Sequence, residues 1–266
     1  MTIQEITKLL EIWAPIRLAE SYDNPGLIIG DPTAEVRGIL ICLDSTEEVI
    51  QEAIDKGCNL VVAHHPIIFQ GLKKLNGANY VERAVMQAIQ HDIALYAFHT
   101  NLDNILNGVN YKIANLLGLH NLYVLQPHAV DDPSLIMPNG AGIIGDLVKP
   151  STEKDFLQQV KKALQLKVIR HSAFTGKPVS RVALCGGSGG FLIPAALKLK
   201  ADIFLTADLK YHEFFKAEGR ILLGDVGHFE SERFTIDQIH DYLMDKSDGT
   251  PLVRTSLNTN PVQYFL

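Results

Sequence analysis

The sequence predicts an α/β protein of two similar domains, each a mixed sheet flanked by helices. Two observations predict it. Apolar runs of strand length alternate with stretches of helical periodicity throughout the 266 residues. In addition, segment 182–208 follows the plan of 39–65 without a gap, aligning Cys42 with Cys185, Ser45 with Ser188, Ile50 with Ile193 and Ala53 with Ala196. This register reads as an internal duplication; a chance match between two common βαβ units is the other reading.

The elements follow in order. Ile6, Leu9, Leu10 and Trp13 give the first helix an apolar stripe, and Thr2-Ile3-Gln4-Glu5 is a capping box at its start. Residues 36–43 read as a strand. Ser45-Thr46-Glu47-Glu48 opens a helix that runs to Lys56 and stops at Gly57. Residues 60–63 form the next strand, and Pro66 argues against its simple continuation. Val81, Ala84, Val85, Ala88 and Ile89 mark a helix, 93–98 a strand, and a further helix ends near Gly118. Residues 126–140, with three prolines, read as a connection. A strand at 142–148, a helix opening at Ser151, a strand around Val168, and strands at 203–206 and 221–223 complete the chain. The expected domains are 1–125 with 227–266, carrying most of the candidate ligands, and 126–226.

Composition narrows the class. Hydrophobic residues make up 47% and charged residues 20%, enough for an ordinary core. The net charge of −6 argues against broad binding to a nucleic-acid backbone, which needs clustered Lys and Arg. No apolar run approaches the roughly 18 residues of a membrane span, and no signal-peptide pattern opens the chain. Three cysteines cannot all pair with one another. Cys42 and Cys185 in apolar runs and Cys58 at a turn read as core residues of a cytoplasmic protein.

Three segments carry metal-type side chains, and each leaves the carboxyl end of an expected strand, where open α/β sheets place ligands. His64-His65 follows the strand 60–63. AFHTNLDN supplies His99 and Asp103. GDVGHFESERF supplies His228 and Glu232, whose i, i+4 spacing puts both on one helix face. At least three imidazoles and two carboxylates exceed what one cation needs and suit two divalent cations about 3.5–4 Å apart. Nitrogen and oxygen donors without sulfur suit Zn, Mn, Fe, Co or Ni alike. Each residue has a plainer reading. The double histidine could be hydrogen-bonded at the sheet edge, His99 a satisfied core histidine, Asp103 a helix cap, and His228/Glu232 a surface helix pair.

Taken in order, ESYDNPGLIIG, VVAHHPIIF, AFHTNLDN and GHFESER resemble the GTP cyclohydrolase 1 type 2 homologues, also called Nif-three-like proteins, over nearly the whole chain. The resemblance implies two α/β domains of similar topology with a dinuclear metal centre between them. It implies His64, His65, Asp103, His228 and Glu232 as ligands, Glu232 bridging, and a ring-shaped homohexamer whose sites face an interior cavity. Longer members carry a domain inserted in mid-chain, for which this chain has no room.

Neighbouring residues allow two readings each. Asp23-Asn24 lines a pocket or makes a turn, the turn being favoured. Asp225 is a candidate carboxylate behind a ligand imidazole. CGGSGGF could hold an anion on its N–H groups or simply turn the chain, and the turn is preferred. His212 in Tyr211-His212-Glu213 is a candidate proton donor or phosphate contact, or a helix-surface histidine. The expected function is hydrolysis by a metal-activated water, with His99 or His212 moving protons. By resemblance, the substrate is a purine nucleotide or a related phosphorylated compound. The alternative is a non-enzymatic metal-binding regulatory or scaffold protein that acts through protein partners.

Overall fold

A computed structural model describes residues 1–128 and 139–265. The elements run α1 (Ile3–Trp13), β1 (Gly26–Ile29), β2 (Ile39–Cys42), α2 (Glu47–Asp55), β3 (Leu60–Ala63), α3 (Tyr80–Gln90), β4 (Ala94–Ala97) and the short α4 (Thr100–Asp103). There follow α5 (Val109–Leu116), β5 (His120–Pro127), β6 (Gly140–Ser151), α6 (Glu153–Ala163), β7 (Arg170–His171), β8 (Val179–Ser188), α7 (Ile193–Lys198), β9 (Ile203–Ala207), β10 (Leu222–Asp225), α8 (His228–Glu232), α9 (Thr235–Met244) and β11 (Leu252–Arg254). The fold is mixed α/β with two mixed sheets. Among the described residues no helix is long and apolar enough to cross a membrane.

The chain divides into two compact units. The first is Met1–Leu102 with Phe234–Gln263; the second is Asp103–Arg233 with the chain end from Tyr264. The divisions fall at 102/103 and 233/234, where the sequence reading puts 125/126 and 226/227. The shift has local causes. Asn110 on α5 accepts from the backbone N–H of Gly186 at 2.8 Å, and β5 pairs with β6, so 103–125 belong with the second sheet. Ser231 on α8 accepts from the backbone N–H of Gly187 at 3.0 Å and holds that helix to the same sheet.

In the first unit the sheet order is β1-β4-β3-β2-β11, with β1 antiparallel to β4 and the other neighbours parallel. Every residue of β2, β3 and β4 is buried, which explains their unbroken apolar runs: helices cover both faces. The capping box of α1 forms as expected, with Thr2 Oγ1 accepting from Glu5 N–H and Glu5 Oε2 accepting from Thr2 N–H. Trp13 stacks on Tyr242 of α9 with centroids 4.6 Å apart, joining the start of the chain to its last helix within this unit.

In the second unit the order is β5-β6-β8-β9-β10-β7, with β8, β9 and β10 parallel and the outer strands antiparallel. The strand expected around Val168 lies slightly later, at β7. The connection read at 126–140 falls mostly on 129–138, outside the described residues; Gln126 and Pro127 end β5 and Gly140 begins β6.

Strand register bears on the duplication. β2 pairs with β3 through Ile39↔Leu60, Leu40↔Val61 and Ile41↔Val62. β8 pairs with β9 through Val182↔Ile203, Ala183↔Phe204 and Leu184↔Leu205. The offset that carries Cys42 to Cys185 carries the first set of partners onto the second, residue for residue. The helix between them, α2 in one unit, corresponds to a short 3-10 turn followed by α7 in the other.

Candidate metal centre

In the first unit three imidazoles gather at the carboxyl ends of β3 and β4. Ring centroids lie 4.8 Å apart for His64 and His65, 5.9 Å for His64 and His99, and 5.6 Å for His65 and His99. His64 is wholly buried. The parallel pairing that ends β3 carries on into the pair, since His64 N–H bonds Cys42 O and His65 N–H bonds Leu43 O. Two of the rings are aimed by carboxylates. His65 Nδ1 donates to Asp44 Oδ1 at 2.7 Å, and His99 Nδ1 donates to Asp23 Oδ1 at 2.6 Å. A ring held at Nδ1 presents Nε2 with a fixed direction and raised basicity, the usual arrangement behind a metal-bound histidine.

Both supporting acids are strongly held. Burial works to raise the Asp44 carboxyl, but hydrogen bonds from His65 and Thr259 outweigh it and keep it below the usual carboxylate range. Burial acts likewise on Asp23, and bonds from His99 and Thr100 again prevail. Asp23 Oδ2 accepts from both the backbone N–H and Oγ1 of Thr100. These bonds pin His99, whose φ of +101° is a backbone conformation that costs a residue with a side chain about 1–3 kcal/mol. The neighbouring Asn24 donates from Nδ2 to Ile68 O at 2.7 Å. Asp23 and Asn24 lie just after a turn at Ser21 and Tyr22, and their side chains position His99 and the loop after the double histidine.

In the second unit His228 opens α8 and Glu232 closes it. His228 Nε2 lies 3.0 Å from Glu232 Oε2, and its Nδ1 donates to Asp208 Oδ2 at 2.7 Å. Burial opposes charge on this imidazole, yet the two carboxylates outweigh it and its pKa is pushed up to about 11. Glu232 is buried and reaches past Gly187, where an added Cβ would lie 2.3 Å from Oε1. Asp103, at the end of α4, comes close to the same place. Burial first, then the charges of Asp103 and Glu232, push the thiol of Cys185 up. Asp103 is not the cap of the helix ending near Gly118, because α5 begins at Val109 behind Gly108 with no side-chain cap.

Residues around this second set differ from their sequence readings. The carboxylate behind His228 is Asp208, not Asp225. Asp225 instead ties two loops together: Oδ2 accepts from Leu209 N–H at 3.1 Å and Arg170 at 2.8 Å, and Oδ1 accepts from Gly227 N–H at 3.2 Å. Asp208 is legible only through the repeat, in which it occupies the position of His65. The glycine segment forms the end of β8 and leads into a 3-10 turn, and three of its donors are used within the protein: Gly186 N–H goes to Asn110, Gly187 N–H to Ser231 and Gly189 N–H to Thr206. His212 is exposed, on a 3-10 turn after β9, with its ring centroid 5.1 Å from that of Tyr211. A groove of about 650 Å³ elsewhere in this unit, between β5, β6 and α7, is lined by none of the metal-type residues.

The family model described as Duf34/NIF3 (NGG1p interacting factor 3) matches residues 1–261. The chain belongs to that family. A member from Campylobacter jejuni named GTP cyclohydrolase 1 type 2 homolog is 35% identical over 269 residues, covering 100% of each chain. One of the same name from Clostridium perfringens is 31% identical over 251 residues, with 94% of each covered. Among solved structures, the Staphylococcus aureus hypothetical protein SA1388 superposes with a TM-score of 0.90 at 30% identity, over 100% of this chain and 99% of that one. The Bacillus cereus protein related to NIF3 gives 0.90 at 26% identity with the same coverage. The four sequence motifs that resemble this Duf34/NIF3 family are the segments that supply His64, His65, His99, Asp103, His228 and Glu232, together with the Asp23 and Asn24 that support them.

Proposed function

We propose that the protein is a hydrolase dependent on two divalent cations, held by His64, His65, Asp103, His228 and Glu232, with Glu232 bridging. The observation that carries the reading is the repeated carboxylate–imidazole pair: Asp44 behind His65 and Asp208 behind His228, each at 2.7 Å on Nδ1. Surface histidines have no need of such partners, whereas metal ligands almost always have them. The donor set also fits in chemistry, being imidazole and carboxylate throughout, with the cysteines buried in the core. When bound, a pair of such cations lowers the pKa of a coordinated water to about 7 and so supplies hydroxide near neutral pH.

The chain's own groups would do the rest. His99, oriented by Asp23, is the proton-moving group with the better support, because its Nδ1 is fixed and its ring stands among the other imidazoles. His212 is the second such group. The substrate class, a purine nucleotide or related phosphorylated compound, rests on the names of the relatives. We include the homohexamer in the proposal, and sedimentation of the purified chain tests it.

The deciding experiment is metal analysis of gently purified protein, followed by turnover of a nucleotide and phosphoester panel with that metal restored. Turnover with about two cations per chain is expected. Intact metals with no turnover anywhere on the panel would favour the scaffold reading.

A further inference from the structure

Beside His65 the first unit has a recess of about 330 Å³, lined by Asp44, Ser45 and Thr46 after β2, by His65, Pro66, Ile67, Phe69, Gln70 and Leu72 after β3, and by the start of α3. We infer that this recess seats a neutral planar heterocycle, the ring of the substrate, and leaves the phosphate of that substrate at the adjoining Lys73-Lys74 rim. The inference rests on the hydrolase reading for the word substrate, and on the recess alone for the ring.

Size and lining decide the class. The volume lies at the small end of the range of about 300–1,000 Å³ typical of ligand pockets, so it suits one ring system. Pro66, Ile67, Phe69, Leu72, Tyr80 and Val81 form apolar and aromatic walls. Phe69 and Tyr80 are exposed, which leaves their faces available for stacking. Gln70 is exposed and offers both an amide donor and an amide acceptor to a ring edge.

The same lining disfavours a phosphate inside. It contains no Lys or Arg, and it includes one acid, Asp44. Helices α2 and α3 both start at the recess, but capping consumes donors in their first turns. Thr46 accepts from Val49 N–H and Asn79 accepts from Glu82 N–H, while Glu82 itself takes the N–H groups of Asn76 and Ala78. Cationic groups come next along the same loop. Lys73 and Lys74, between the lining residues Leu72 and Asn79, are exposed and form no ion pair among the described residues.

Position ties the recess to the candidate chemistry. His65 is one of its walls, and Phe69 meets the ring of His99 edge-on at 5.8 Å. Asn24, next to the Asp23 that orients His99, holds the loop at Ile68. A ring seated here would lie beside His65, with His99 behind the Phe69 wall.

The test is equilibrium binding of guanosine, GMP and ribose 5-phosphate, by calorimetry, to the full chain with and without Mn. Guanosine and GMP are expected to bind, and ribose 5-phosphate at least tenfold more weakly than GMP. Tyr80→Ala and Gln70→Ala should each weaken guanosine and GMP by about tenfold with metal content unchanged. Lys73→Ala combined with Lys74→Ala should weaken GMP several-fold and leave guanosine untouched. Ribose 5-phosphate binding as tightly as GMP, or guanosine binding unaltered in both Tyr80→Ala and Gln70→Ala, overturns the inference. Guanosine binding to protein that takes up no metal supports the ring seat and counts against the hydrolase reading. Full metal loading with turnover of a non-nucleotide and no guanosine binding does the reverse.

Discussion

Asp208 accepts a hydrogen bond from Nδ1 of His228 across 2.7 Å, and it does so from the position that the repeat equates with His65. The same strand end thus provides an imidazole in one unit and, in the other, the carboxylate that aims an imidazole. Asp208 sits at φ +57°, a left-handed turn in which Asp is tolerated. It is anchored through the next residue, Leu209, whose N–H and C=O are bonded by Asp225 and Arg170 respectively.

Asp208→Asn removes the charge and keeps the shape. Because the side chain is half exposed, the fold should stay intact. Loss of a carboxylate behind a metal-bound imidazole typically lowers metal affinity by about 10–100-fold. Competition with a chelator of known affinity measures this, and an affinity equal to that of the unaltered protein would remove Asp208 from the centre.

Glu232→Gln is the sharper test of the cation pair. The side chain is buried, and glutamine has the same shape but cannot bridge two cations as a carboxylate does. Metal content and any hydrolytic turnover should fall together. Full occupancy of both cations in Glu232→Gln, by elemental analysis, would count against the bridging role.

What could be read in advance follows from the range of the forces involved. Strands and helices were legible because periodicity and caps are local: Thr2 and Thr46, both in segments read as helix starts, each cap a helix with a side-chain oxygen. The candidate ligands were legible because they leave the ends of strands. Their supports were not. Asp44 lies 21 residues from His65, and Asp23 lies 76 from His99, and no local pattern links such partners. Asp225 looked like the support of His228 because it is close in sequence. Its carboxylate instead bonds backbone N–H groups, a role that spacing does not reveal. The divisions between the compact units differ from the sequence reading for the same reason, since strand pairing and the Asn110 bond tie α5 and β5 to the second sheet.

Gly187 shows how tightly the second unit accommodates Glu232. It adopts φ +61°, and a Cβ there would stand 2.3 Å from Glu232 Oε1 and 3.4 Å from His228 Cε1. Gly187→Ala should destabilise the protein by about 1–3 kcal/mol and also displace the carboxylate, lowering metal content. Gly176 is the matched control. It has φ +73° with open space around it, so Gly176→Ala should bear only the backbone cost. Denaturant midpoints and metal analysis on both variants separate the effects, and equal metal content in the two would show that Glu232 does not need the space.

Glu52 fastens the segment after β11 to α2. Its carboxylate accepts from Ser256 N–H at 2.9 Å, Ser256 Oγ at 2.6 Å, Thr255 Oγ1, and Lys56 Nζ at 2.8 Å. Burial works to raise its pKa, but these bonds prevail and hold it at about 2. A depressed carboxyl contributes its stability above the unfolded value of about 4.3, and that contribution disappears as pH falls toward 2. Hydrogen bonds to a charged group are worth about 1.5–3 kcal/mol, so Glu52→Ala should cost roughly that much at pH 7. The difference between Glu52→Ala and the unaltered protein should shrink steadily between about pH 5 and pH 2. Urea unfolding across that range measures it, and a difference independent of pH would mean that the ionised carboxylate is not what secures the segment.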